Sequence, residues 1–417
     1  MNYFELGKKN IWLPYTPMLN HLPQLEAIKT KGTKIYLKNG QKLIDGIASW
    51  WAVCHGYNHP YVIKKINEQL KIMPHLMLAG FANEATYKLA YRLANFCEMD
   101  KVFFSDSGST AVEVAMKIAW QYFINSGYSS KKKFISFKNS YHGDTTGAMS
   151  LADLNSGMHQ KFSGNLLENF CFKLPNQDDD FIEFENFIAK NHPQIAGIFI
   201  EPLVQCAGGM KFHNIATLDR IFAIAKKHKI ITICDECATG FYRTGKKFAF
   251  LHTKFKPDIL LVGKALSAGY MGLSATLTSN EIFDKFNHED LNKALMHGPT
   301  FMGNALACAS ANASLDLFEN IDYEKKVKII SDFFAKNLPK FKKFKKVLEV
   351  RYIGAIAVIE IDTNWEEIKK MRLSFIEKNV FLRPFGNVIY VMPSFNISIA
   401  GLKNIFSAIE KVLKEIN

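Results

Sequence analysis

Residues 229–240 read KIITICDECATG, and residues 257–264 read PDILLVGK. Each contains a β-branched or leucine-rich apolar run too short for a stable helix, and each run leads into a charged residue, Asp235 in the first and Lys264 in the second. A run without polar alternation belongs to a strand covered on both faces, as in a parallel sheet between helices. Working outward, KVFF (101–104), KKFISF (132–137) and IAGIFIEPL (195–203) are of the same kind. Turn or polar residues bound them, and segments of helical period separate them. The expected fold class is α/β, with a large, mostly parallel sheet clothed in helices. Before residue 60 and after about residue 310 this rhythm stops. There AIAVIEID (355–362) and NVIYVMP (387–393) read as strands and NWEEIKKMRLSFIEKN (364–379) as a helix. These predict a smaller α+β unit made from both chain ends, residues 1–60 with 310–417, around a large domain of residues 61–309.

Ligands of open α/β sheets sit at the carboxyl ends of the strands, and three strand ends in this chain carry suitable chemistry. In KVFFSDSGSTAVEVAMKIAWQYF (101–123) a strand leads through Ser107, Gly108 and Ser109 into a helix with Val112, Ala115, Ala119 and Tyr122 on one face. Free amides at a helix start, a glycine, hydroxyls and the positive dipole end suit a phosphate monoester. The same residue types also cap helices, and for this segment alone simple capping is the preferred reading. Asp235 ends a buried strand, where a carboxylate needs a partner. A protonated pyridine nitrogen of pyridoxal is one such partner, and the next helix start is another. Lys264 ends a third strand and can reach the same crevice as an amine nucleophile. In NSYHGDTTGAMS (139–150), Tyr141 or His142 can lie on a planar heterocycle. In HGPTFMGN (297–304), Thr300 is a further phosphate donor. Phosphate cup, strand-end aspartate and strand-end lysine in this order are far more specific than any one of them, and they point to a pyridoxal 5'-phosphate enzyme.

Composition excludes several other classes. With 417 residues, 48% of them hydrophobic, the chain can bury a large core. No apolar run approaches membrane-spanning length, and the start, MNYFELGKKNIWLPYTPM, has no apolar h-region, so no membrane association and a cytoplasmic location are expected. The seven cysteines are scattered and odd in number, which fits reduced thiols. Cys234 and Cys237 form a lone CxxC with no second pair for zinc, so no metal is expected. The net charge of +13 is spread along the chain without arginine-aromatic interleaving, which argues against nucleic acid. The densest run, KNLPKFKKFKKVLEV (336–350), reads as a solvated helix face.

The matching segments extend well beyond the cofactor constellation: DGIASWWAVCHGYNHP, FFSDSGSTAVEVAMK, YHGDTTGAMS, FIEPLVQCAGGM, DECATGFYRTGK, VGKALSAG, HGPTFMGNALACA, GAIAVIE and LRPFGNVIYVMP. Through them the chain resembles, over essentially its whole length, the class III aminotransferases of the fold-type I pyridoxal-phosphate enzymes. The resemblance implies a seven-stranded, mostly parallel sheet and a homodimer with shared active sites. It makes Lys264 the Schiff-base lysine, Asp235 the holder of the pyridine nitrogen and Tyr141 the residue stacked on the ring. It places Gly108 and Ser109 on the phosphate, Gln205 near the phenolic oxygen, and Thr300 with Gly298 and Pro299 reaching over from the partner subunit. The Trp50–Trp51 pair, Asp144 and the GAIAVIE and LRPFGN segments separate the chain from ornithine, aminobutyrate and general ω-aminotransferases. They imply a biotin-pathway amino transfer from S-adenosylmethionine to 8-amino-7-oxononanoate, with lysine as the alternative donor. Arg383 would clamp the acceptor's carboxylate by a bidentate fork. Tyr15, Trp50, Trp51 and Tyr390 would line the substrate pocket, and Asp144 would meet an ammonium or orient Tyr15. Cys206, Cys237, Tyr242 and Ala305 depart from the family pattern without removing a charged or nucleophilic group.

Overall fold

The computed structural model describes residues 2–19, 21–155 and 157–416. Its centre is a sheet of seven strands: β1 (Lys101–Ser105), β2 (Lys133–Phe137), β3 (Phe170–Phe172), β4 (Ile195–Ile200), β5 (Ile231–Asp235), β6 (Ile259–Val262) and β7 (Ser274–Thr278), in the spatial order β1-β7-β6-β5-β4-β2-β3. Strands β2 to β6 are mutually parallel, and β7 runs antiparallel between β1 and β6. The α/β expectation is met. Every residue of β4, β5 and β6 is buried, because helices cover both faces and leave no place for polar alternation.

Two strands escape a reading by hydrophobic runs. β3 is a three-residue edge strand. β7, SATLT, is fully buried but half polar, and its hydroxyls are satisfied locally: Ser274 Oγ donates to Ser107 O at 2.6 Å and Thr276 Oγ1 to Ala111 O at 2.9 Å. Both bonds anchor the first turn of helix Gly108–Asn125 onto the sheet. That helix begins with a capping box, in which Thr110 N donates to Ser107 Oγ at 3.3 Å and Ser107 N donates to Thr110 Oγ1 at 3.0 Å. Its buried alanines, Ala111, Ala115 and Ala119, let its axis lie close to the sheet.

Residues from both chain ends meet in two further sheets. Lys42–Asp45 pairs in parallel with Val380–Phe381 within a four-stranded sheet, and Val347–Ile353, Ile356–Ile361 and Val388–Val391 form an antiparallel sheet. The helix expected over 364–379 is present as Trp365–Glu377. The lysine-rich run at 336–350 is not one helix face: Pro339 lies in a short 3-10 turn, Leu338–Lys343, and a strand begins at Val347. Phe341 and Phe344 are buried while lysines 340, 342, 343 and 345 face water. Charged side chains tie the Val347–Ile353 and Ile356–Ile361 strands to residues 209–211. Arg351 donates to Gly209 O and Met210 O, and Glu360 accepts from both Lys211 and Arg351. Among the described residues no helix is long and apolar enough to cross a membrane.

Candidate active site

The carboxyl ends of β1, β2, β4, β5 and β6 deliver their following residues to one place. A hollow of about 150 Å³ is lined there by Trp51, Gly108, Ser109, Tyr141, His142, Glu201, Asp235, Cys237 and Lys264, among others. Ser107 is spent on the helix cap, while Gly108 and Ser109 face the hollow. The fit is tight. A Cβ on Gly108 would lie 3.3 Å from Cys237 Sγ, and one on Gly143 would lie 2.0 Å from Ser109 Oγ. Ser109 Oγ also accepts from Asp144 N at 3.1 Å.

Asp235 is buried and acts as a charge, not as a helix cap. Its Oδ2 accepts from His142 Nδ1 at 2.9 Å and its Oδ1 from Cys237 N at 3.1 Å. Burial pushes its pKa up, but the His142 hydrogen bond and charge, with Lys264 beyond, outweigh this and hold it below the ordinary carboxylate value. His142 shows the mirror image: burial pulls it down, and Asp235, with Glu201 behind, raises it above the usual imidazole value. Of the two candidates for the ring face, His142 is thereby committed to Asp235, and Tyr141 remains on the wall of the hollow. Lys264 follows Gly263 in a left-handed conformation, φ 46°, which carries its Nζ to 5.2 Å from the centre of the Trp51 ring.

An aromatic shelf leads away from this hollow. Ala48, Ser49, Trp50 and Trp51 are all left-handed, with φ of 48°, 49°, 54° and 74°. Asp45, which the sequence reading did not single out, pins this strained turn. Its carboxylate accepts from Ile47 N at 2.9 Å, Ser49 N at 2.9 Å and Tyr57 Oη at 2.7 Å. The turn presents Trp51 edge-on to buried Tyr390, with centres 6.2 Å apart, and Trp50 edge-on to Tyr15 at 6.3 Å. The Arg383 guanidinium lies over Trp50 at 4.9 Å, beside a second hollow of about 550 Å³ that Tyr15, Trp50, Arg372 and Arg383 help to line. Among the described residues no acid or carbonyl bonds to Arg383. Tyr15 links the two hollows: its hydroxyl lies 3.2 Å from that of Tyr141 and donates to Asp144 Oδ2. Between the two roles considered for Asp144, the geometry places it on Tyr15.

One residue expected in this hollow lies elsewhere. Gln205 does not line the hollow; its amide donates to Lys138 O at 2.8 Å. Gly298, Pro299 and Thr300, expected to reach the phosphate of a partner subunit, do not line the hollow of their own chain; their loop rests near Lys117 and Phe103 through His297. Three residues of the site carry no local signal in the sequence. Glu201 accepts Tyr141 N at 3.0 Å and Cys206 N at 2.9 Å, and burial lifts it to about 7 against the lowering charge of His142. His159 stacks on the Tyr141 ring, centres 5.7 Å apart, and its Nε2 bonds Asp144 Oδ1 at 3.1 Å. Arg372 lies beside Arg383.

The family model for aminotransferase class-III matches residues 17–413. The adenosylmethionine-8-amino-7-oxononanoate aminotransferase of Buchnera aphidicola subsp. Schizaphis graminum is 39% identical over 97% of this chain and 95% of its own length. Among solved structures, the enzyme of the same name from Methanocaldococcus jannaschii superposes with a TM-score of 0.92 at 31% identity, covering 99% of this chain and 98% of that one. An amine transaminase from an uncultivated Pseudomonas species, in the PLP-bound form, superposes with a TM-score of 0.90 at 28% identity over 98% of this chain and 99% of its own. With the strand-end aspartate and lysine gathered in one hollow and likeness along nearly the whole length, this chain belongs to the class-III aminotransferases.

Proposed function

We propose that this chain transfers the amino group of S-adenosylmethionine to 8-amino-7-oxononanoate, with pyridoxal 5'-phosphate as cofactor, in two alternating half-reactions. The observation that carries the acceptor's identity is Arg383, a half-buried guanidinium laid on Trp50 with no acid of its own, at the end of an apolar and aromatic path from Lys264. A carboxylate at the far end of an aliphatic chain satisfies that fork, and the relatives described above carry the name of this reaction. The cofactor fits the small hollow by donor chemistry: helix-start amides at Gly108 and Ser109 for a phosphate, a carboxylate held ionised at Asp235 for a protonated ring nitrogen, Tyr141 for the ring face, and the Lys264 amine for an aldehyde. Bound there, pyridoxal phosphate supplies an aldehyde that takes up an amino group and a heterocycle that draws electrons from the adjoining carbon.

The protein's own residues do the rest. Lys264 Nζ would hold the cofactor at rest and, displaced by the donor amine, accept the proton leaving the donor's α-carbon and pass it on within the site. In the acceptor half-reaction the same amine gives a proton to the former ketone carbon. Asp235, kept charged by His142, would keep the ring nitrogen protonated. Tyr15 and Tyr141, bridged by their hydroxyls and by Asp144, would fix the floor on which each substrate turns. Trp50 and Trp51 would pack on the aliphatic chain of one substrate and face the sulfonium of the other.

The division into a large cofactor domain at 61–309 and a small domain from both ends is part of this proposal. It is supported by the parallel pairing of Lys42–Asp45 with Val380–Phe381. A homodimer, in which Gly298, Pro299 and Thr300 of one subunit complete the phosphate site of the other, is also part of this proposal. A cytoplasmic location is supported by seven free cysteines, six of them buried. Stopped-flow spectra of the holoenzyme test the reaction. Adenosylmethionine alone should convert the cofactor to its aminated form, and the oxononanoate alone should then restore it. Conversion by lysine but not by adenosylmethionine overturns the donor, and failure of the oxononanoate to restore the spectrum overturns the acceptor.

A further inference from the structure

We infer that Arg372 is a positioning residue that fixes Arg383 in the pose that receives a carboxylate, and so sets the preference for acid-ended acceptors; this rests on the reading of Arg383 as the clamp. Arg372 lies on helix Trp365–Glu377, whose sequence gives no reason to expect anything but a solvated cation. Its guanidinium is nonetheless half-buried, stacked over Trp365 at 5.2 Å, and it donates from both Nε and Nη2 to a single carbonyl, Pro384 O, at 3.0 and 2.7 Å. Pro384 immediately follows Arg383. Proline has no N–H and a fixed φ, so its carbonyl is the one backbone handle by which a second element can hold this point of the turn. At the other end of the turn Asn387 Nδ2 donates to Glu360 Oε1 at 3.0 Å, and Phe385 bridges Val388. Arg383 is therefore carried on a short loop pinned on both sides.

Charge leads to the same reading. Arg372 and Arg383 lie close enough to repel. Burial first, and the charge of Arg383 second, lower the Arg372 pKa to about 10, still cationic at neutral pH. Glu377, on the same helix, lines the larger hollow but is exposed and bonded to neither guanidinium. Arg372 spends Nε and Nη2 on Pro384 O, so Arg383, which has no acid among the described residues, is the guanidinium left to favour an anion over a neutral ligand of the same shape.

The test uses the holoenzyme and two unreactive nine-carbon probes, nonanoate and the neutral nonanamide, read by tryptophan emission and by the cofactor's absorbance. Arg372→Gln is expected to weaken nonanoate binding about tenfold (~1.4 kcal/mol) and leave nonanamide unchanged. It should raise the acceptor's KM in step without altering kcat or the donor half-reaction. Arg372→Lys keeps the charge and the stem but offers no fork, so it should lose part of the affinity, and it serves as the second variant where the Gln substitution unsettles the helix. In an Arg383→Ala background, Arg372→Gln should cost nothing further, since the effect acts through Arg383. Full nonanoate affinity in Arg372→Gln, or an added loss in the Arg383→Ala background, overturns the positioning role. Unchanged nonanoate binding in Arg383→Ala alone overturns the clamp itself, and the positioning role with it.

Discussion

Asp45→Asn removes one carboxylate oxygen from beneath the left-handed turn at Ala48–Trp51. A non-glycine residue held left-handed costs roughly 1–2 kcal/mol, so four in succession store roughly 4–8 kcal/mol. Against this stand three hydrogen bonds to a buried carboxylate, from Ile47 N, Ser49 N and Tyr57 Oη, each worth about 1.5–3 kcal/mol, so strain and restraint are of similar size. Asparagine presents one oxygen and one amide nitrogen. If the oxygen stays with Ser49 and Tyr57, the amide faces the Ile47 N–H, and one bond becomes a donor-donor clash costing about 2–4 kcal/mol. The turn then relaxes and takes Trp50 from beneath Arg383 and Trp51 from above Lys264. Thermal unfolding of the holoenzyme should show a lowered Tm, and steady-state kinetics a raised KM for the acceptor. Tyr57→Phe removes the one Asp45 bond outside the turn, so it should cost about 1.5–3 kcal/mol in stability but leave the acceptor KM unchanged. An Asp45→Asn enzyme with wild-type Tm and acceptor KM would refute the claim that this carboxylate holds the turn.

Gly143→Ala adds a methyl where φ is +130° and Ser109 Oγ would be 2.0 Å away; backbone strain and overpacking of about 1–3 kcal/mol each should displace Ser109 and weaken cofactor retention on dialysis, and normal retention contradicts the cradle. Glu236, buried and bonded to Ala249 N and Phe250 N at 2.7 Å each, is pushed by burial from 4.5 up to about 7. A raised folded pKa contributes stability fully below pH 4.5 and loses it as pH rises through about 7, so Glu236→Gln should flatten the fall of Tm across that window, and an unchanged slope would exclude the effect. Arg383→Ala should impair the oxononanoate half-reaction more than the donor half-reaction, and equal losses in stopped-flow traces argue against a dedicated clamp.

The parallel core was legible because burial on both faces leaves a continuous apolar run, as in ITICD and ILLV. β7 was not, because SATLT meets its burial with hydroxyls bonded to helix carbonyls, a tertiary arrangement with no local pattern. Asp235 and Lys264 could be read from their place at strand ends. The pairing of His142 with Asp235 spans 93 residues and could not. Asp45 and Arg372 were passed over for a shared reason: an acid before a glycine reads as a turn and an arginine among lysines on a helix reads as solvated. Only the folded chain shows that one restrains a strained backbone and the other grips Pro384. Thr300 could be read from its segment as a phosphate donor, but its approach from a partner subunit came only through family resemblance, since Gly298, Pro299 and Thr300 do not line the hollow of their own chain.

All of this chemistry requires that the amine of Lys264 be joined to the aldehyde of pyridoxal phosphate in the resting enzyme. Borohydride reduction of the holoenzyme, followed by proteolysis and mass mapping, measures this directly. The mass of one reduced pyridoxyl phosphate should be found on Lys264, with the label absent from the Lys264→Ala protein. Label on another lysine, or none on Lys264 in a cofactor-loaded sample, would contradict it.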